Sequence, residues 1–100
     1  MLREHLLNDK NTKCRAWSAS SFMQMWFRKE DGILKKTAFE SFQKALETES
    51  NAFVLACILD AVRQIGKTKL GVSQRALDEL DIAEIDAAKV RAVRFLNKIV

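Results

Sequence analysis

Asn51-Ala52-Phe53-Val54-Leu55-Ala56-Cys57-Ile58-Leu59-Asp60-Ala61-Val62-Arg63-Gln64-Ile65-Gly66 is the stretch whose reading decides the fold. From Ala52 to Leu59 no polar residue interrupts it, and only Asp60, Arg63 and Gln64 break the apolar surface before Ile65. A helix apolar nearly all round belongs at the buried centre of a domain. Ser50-Asn51 supplies an N-cap, whose side-chain oxygen accepts from the first unpaired amides. Gly66 is the natural residue just past the end, since glycine enters the left-handed region at little cost.

Upstream, Leu34, Ala38, Phe39, Phe42, Ala45 and Leu46 recur at helical spacing, with Lys35, Lys36, Glu40, Gln43, Lys44 and Glu47 between them. This predicts an amphipathic helix from Ile33 to about Thr48. Thr37-Ala38-Phe39-Glu40 matches a capping box and offers a later start. Asp31-Gly32 breaks the chain before it. Trp17, Phe22, Met23, Met25, Trp26 and Phe27 form the densest aromatic and methionine cluster. The Phe22/Trp26 and Met23/Phe27 pairs, four residues apart, predict a helix from about Ser18 or Ser20. Most of that stripe is expected in the core. Trp17, Met25 and Trp26 cannot all face one way, so they are the candidates for a partner-binding surface. Residues 8–13 carry no periodicity, and 1–14 reads as a flexible arm ahead of one domain over 15–100.

Downstream, Lys67-Thr68-Lys69-Leu70-Gly71-Val72 is a basic connection. Ser73 caps a short helix through Leu80, with Ala76, Leu77 and Leu80 inward. After Asp81, the residues Ile82, Ile85, Ala88, Ala92, Leu96 and Ile99 trace the inner stripe of a last helix whose outer face carries Arg91, Arg94 and Lys98. Its acidic start and basic end suit the helix dipole. No strand-like alternation and no internal repeat is present. The expectation is an all-α, compact bundle of four or five helices.

Composition agrees with one small domain: 100 residues, 48% of them hydrophobic, no proline and three glycines, which excludes collagen-like, proline-rich and low-complexity classes. The net charge is +4. Eight basic and four acidic residues over 1–36 give +4, two and four over 37–66 give −2, and seven and five over 67–100 give +2. This permits an acidic partner such as nucleic acid without demanding one. Cys14 and Cys57 stand far apart, with neither a CxxC motif nor a nearby histidine, so reduced thiols in a cytoplasmic setting are expected. The N-terminus lacks the apolar core of a signal peptide, and the run Ala52–Leu59 falls far short of the roughly 20 residues of a membrane span.

Ala61-Val62-Arg63-Gln64-Ile65-Gly66-Lys67-Thr68 is a phosphate loop with alanine in place of its first glycine. Such a loop needs a preceding strand, a glycine-rich backbone nest and a parallel sheet that this chain has no room for. A helix end followed by a basic turn is the better reading. His5 is the only histidine, and it is expected in solvent. Glu47/Glu49 and Asp78/Glu79/Asp81 read as cap and surface charges. No enzyme activity, cofactor or metal is expected.

The functional lead is Leu70-Gly71-Val72-Ser73-Gln74-Arg75-Ala76-Leu77-Asp78-Glu79-Leu80. Gly71 permits a tight turn, Ser73 caps the next helix, and Gln74 and Arg75 project from its first turn, where bases are read in a helix-turn-helix. Lys67, Lys69, Arg91, Arg94 and Lys98 are placed to grip phosphates. Ala45-Leu46-Glu47, Phe53, Leu55-Ala56, Asp60, Arg63 and Gly66 are similar in order and spacing to the helix ahead of the helix-turn-helix in small antitoxins of addiction modules, which resemble phage-repressor domains. The likeness spans about residues 42–80 and departs from the pattern at Gly66 and Lys67. It implies an all-helical regulator that binds duplex DNA as a homodimer and neutralises a toxin. The other expectation is a protein-interaction module without DNA binding, such as an immunity protein, an anti-defence inhibitor or an adaptor, working through the Trp/Met/Phe surface.

Overall fold

The computed structural model describes residues 6, 7 and 10–99; His5 lies outside them. Between residues 10 and 99 the chain forms five helices: α1 (Thr12–Arg28), α2 (Gly32–Thr48), α3 (Ala52–Gly66), α4 (Gln74–Asp78) and α5 (Ile82–Ile99). No strand occurs among the described residues. The fold is the all-α bundle that the spacing predicts.

Three Asx caps, twenty residues apart, set out the first three helices. The Asn11 side chain accepts from the Lys13 and Cys14 amides, Asp31 from Ile33 and Leu34, and Asn51 from Phe53 and Val54. Each satisfies donors that a helix start leaves open. The Asp31 cap, not Thr37, therefore begins α2. The Asn11 cap begins α1 several residues before Ser18. Residues 12–14 thus belong to a helix, and Leu6 is buried in the core at 1% exposure. The expected flexible arm over 1–14 is corrected to that extent: an aliphatic anchor and a cap within it are tied to the domain.

Helix α3 lies at the centre, burying Val54, Leu55, Ile58, Leu59, Ala61, Val62 and Ile65. Helix α1 packs along it most extensively. Arg15 meets Glu49, just ahead of α3, at 2.7 Å, and Glu30, just after α1, meets Lys67, just past α3, at 3.8 Å. The two helices therefore run in the same direction, with α2 returning between them in sequence. Phe22 and Phe42 pack edge to face at 5.6 Å, and Phe39 and Phe95 at 6.1 Å, the geometry that aromatic quadrupoles favour. Glu49 is buried, but two guanidinium nitrogens of Arg15 and the Asn51 amide hydrogen-bond its carboxylate, as a buried charge requires.

The end of α3 differs from the expectation. Gly66 is the last helical residue, and the left-handed position falls to Lys67 at φ 53°. The reason is packing: a Cβ on Gly66 would stand 2.9 Å from Phe95 Cε2 and 3.3 Å from Phe39 Cζ. Gly66 lets α5 close on α3. The Thr68 amide then bonds the Arg63 carbonyl at 3.2 Å, the six-to-one bond of a Schellman ending.

Beyond it, Leu70 and Gly71 both have positive φ, 52° and 66°, and the Val72 amide donates to the Lys69 carbonyl at 3.2 Å. Two successive left-handed residues inside such a bond make a type I′ turn. Ser73 caps α4 through the Ala76 amide. Leu80 turns left-handed at φ 54° and the Asp81 amide reaches back to the Ala76 carbonyl, so α4 stops at Asp78. Leu80 is thereby carried off the inner face and partly exposed, and Ile82 and Ile99, at the two ends of α5, are also exposed. The expected inward stripe of α5 contracts to Ile85, Ala88, Ala92 and Leu96.

Candidate functional site

The residues expected to read and grip DNA fall into two groups. One is held internally. Ser73 is the α4 cap, and Gln74 accepts from Arg63 Nη1 at 3.2 Å while donating to Asp78 Oδ1 at 3.0 Å. Arg75 Nε pairs with Glu79 Oε1 at 3.0 Å on the open surface. Arg91 Nη1 donates to the carbonyls of Leu70 and Gly71 at 3.1 and 3.3 Å, which clamps the I′ turn onto α5. The second group comprises Lys69, Arg94 and Lys98, exposed and without a salt bridge among the described residues. Lys67 stands between the groups, with only an exposed contact to Glu30 at 3.8 Å. Around α4 the charge is mixed, because Asp78, Glu79 and Asp81 follow directly on Arg75.

The aromatic cluster divides cleanly. Trp26 is 6% exposed and belongs to the core, with Lys35 Nζ 5.6 Å from its ring centre, inside cation–π range. Its expected place on a partner surface is corrected: Ala19, Phe22 and Trp26 share the stripe that α1 turns inward. Trp17 is 75% exposed and Met25 45%. An indole left this far in water is the kind of large apolar side chain that marks a contact surface when others join it.

Others do. One turn after Trp17, Ser20 lines a cleft of about 340 Å3 between α1, α3 and α4. Its apolar walls are Phe53, Ala56, Leu77 and Leu80, of which Phe53 and Leu80 are exposed. Its polar lining is Ser20, Cys57, Asp60, Gln74 and Asp78, with no lysine or arginine among the lining residues. Asp60 Oδ1 is enclosed without a hydrogen-bond donor among the described residues, and Arg63 Nη1 stands at 3.8 Å from it. Burial pushes the Cys57 thiol above its ordinary range, Asp60 adds to that, and the Ser20 hydrogen bond opposes it. A thiol held protonated is a weak nucleophile.

Sequence reasoning points to Trp17 but not to the cleft residues. Phe53 belongs to the central helix, but its place in the first turn, next to the cap, is where a buried helix first emerges. Asp60, the one acid inside an apolar helix, was the available signal for a polar opening there. A second groove, of about 320 Å3, lies where Gly32, Lys35, Lys36 and Phe39 meet Ile99. Among the described residues no three His, Cys, Asp or Glu side chains gather as around a metal ion, and no helix is long and apolar enough to cross a membrane.

Comparison with protein-family models, curated proteins and solved structures finds no match for this chain.

Proposed function

We propose that this chain is a protein-interaction module that docks a partner over the cleft between α1, α3 and α4. The observation that supports this reading is the exposure of Trp17, three residues before Ser20 on α1, together with a cleft lined by Ser20 whose rim residues Phe53 and Leu80 are also uncovered. Interfaces draw most of their energy from a few such aromatic anchors set around a pocket. The test is to express the tagged chain in cells that carry its gene, as wild type, Trp17→Ser and Val90→Ser. Val90 is an exposed apolar residue on α5, and so a control for general stickiness. A protein retained by wild type and Val90→Ser but lost with Trp17→Ser supports the reading. Identical retained sets for all three refute it.

A second reading, a dimeric DNA-binding regulator of the antitoxin or phage-repressor type, draws on Lys69, Arg94 and Lys98, which are exposed and without a salt bridge among the described residues. Contacts of this kind grip phosphate and fix orientation without reading bases. Retardation of duplex DNA at low salt that is lost in the Lys69→Ala/Arg94→Ala/Lys98→Ala variant is the outcome it expects. No retardation at low salt refutes it.

A further inference from the structure

We infer that the cleft takes a cationic side chain, arginine or lysine, carried between apolar residues on the partner; this rests on the interaction reading above. The volume comes first. About 340 Å3 is at the small end of binding-pocket sizes, room for one or two side chains and not for a helix laid lengthwise. The lining comes next. Asp60 and Asp78 bring two carboxylates, and no basic residue lines the cleft to neutralise them. Arg63 forms a loose ion pair with Asp60 at 3.8 Å, with no hydrogen bond to the enclosed Oδ1; its Nε is likewise enclosed without a hydrogen-bond partner among the described residues, and its Nη1 donates to Gln74. The Asp60 charge is thus only partly compensated.

These facts sort the possible occupants. An acidic side chain would face two carboxylates at close range, a repulsion that enclosure strengthens. A purely apolar one would strip water from Asp60 and Asp78 and return no hydrogen bond. A cationic side chain lays its methylene stem along Phe53, Ala56, Leu77 and Leu80 and brings its charge to the carboxylates. The chain carries a net charge of +4, yet the only charged side chains among the described residues lining this cleft are Asp60 and Asp78, so electrostatic complementarity selects the partner here.

The test uses the full chain, labelled with 15N, and two probes: acetyl-Leu-Arg-Leu-amide and the same peptide with citrulline, which keeps arginine's shape and lacks its charge. Amide shifts are expected to centre on Ser20, Cys57, Gln74 and Asp78. The arginine peptide is expected to bind about fivefold more tightly at low salt, the scale of one partly screened charge pair. Asp78→Asn, an exposed change that spares the fold, should halve that preference or more. Asp60→Asn should do the same, provided its circular dichroism matches wild type. Equal affinity for the two peptides, shifts centred elsewhere, or none at millimolar peptide overturns the assignment. If the Trp17→Ser variant still loses a cellular partner in that event, the interaction reading stands and only the charge assignment falls.

Discussion

Replacing Gly71 with alanine strikes two features at once, and the structure says how they are linked. Gly71 has φ +66°, and a left-handed conformation costs alanine about 1–2 kcal/mol relative to its ordinary regions. The added Cβ would also stand 2.7 Å from Arg91 Nη1 and 3.0 Å from Cζ, so the guanidinium must leave the Leu70 and Gly71 carbonyls. Those are bonds from a charged donor, partly exposed to water, and together they contribute about 1 kcal/mol. Gly71→Ala should therefore destabilise by about 2–3 kcal/mol, and Arg91→Ala by about 1 kcal/mol. The double variant is the informative one. With Arg91 gone the new methyl has nothing to displace, so the double variant should be no worse than Gly71→Ala alone, leaving a coupling of about 1 kcal/mol. Urea unfolding followed by helical circular dichroism measures all three. If Arg91→Ala unfolds at the wild-type midpoint, or the two losses simply add, the clamp does not exist and Arg91 is a free surface cation.

Three other changes probe the frame around the cleft. Gly66→Ala gains about 1 kcal/mol of helix propensity but drives a Cβ to 2.9 Å from Phe95, and overpacking of about 1–3 kcal/mol should win; thermal melting reads the net loss, and Phe95→Leu should restore it. Asn51→Ala should cost about 1 kcal/mol of stability in urea by stripping the caps of Phe53 and Val54, while Asn51→Asp should cost little. Cys57 should react with iodoacetamide more slowly than Cys14, as read by mass spectrometry of the native protein. The folded state keeps the Cys57 proton past the unfolded value of 9.0. Its contribution is therefore whole below about pH 9 and is lost as pH rises through the raised folded value, so Cys57→Ser should flatten the alkaline fall in stability.

Helices α2, α3 and α5 were legible because their spacing alone separates an inside from an outside, and α3 because nearly every position is apolar. The start of α1 was not. Asn11 sits in a polar run where a cap has no periodic neighbour to announce it, and the signal that fixes it is a side-chain hydrogen bond. The roles of two glycines were also hidden. Gly66 looks like a terminator in sequence, and only Phe95, twenty-nine residues on, shows that it is a contact. Gly71 is legible as a turn residue, but the arginine that closes on it comes from another helix. The cleft was least legible of all. Ser20, Phe53, Asp60 and Asp78 come from three helices, and no local pattern carries their juxtaposition. The inward place of Trp26 could have been read from Phe22, four residues before it on the same stripe.

The energetics of the basic residues decide how strongly the chain can hold a polyanion. Surface pairs such as Lys67–Glu30 and Arg75–Glu79 are worth little, so a phosphate could replace Glu30 or Glu79 at small cost. Arg91 is different: to reach a phosphate it must release the I′ turn, and Arg15 must abandon a buried carboxylate. Helix α4, five residues and roughly 7.5 Å long, would bring Asp78, Glu79 and Asp81 towards the phosphates along with Arg75. Of the residues expected to grip phosphates, those available without breaking the fold are then Lys67, Lys69, Arg94 and Lys98. Four neutralised phosphates give a slope of log affinity on log salt of about −3.6, against about −10 for a strongly electrostatic regulator. Duplex binding through these four should therefore follow the shallow slope and be insensitive to Arg75→Ala. A change in sequence preference with Arg75→Ala would mean that α4 enters the groove after all and that its internal hydrogen bonds exchange for bases.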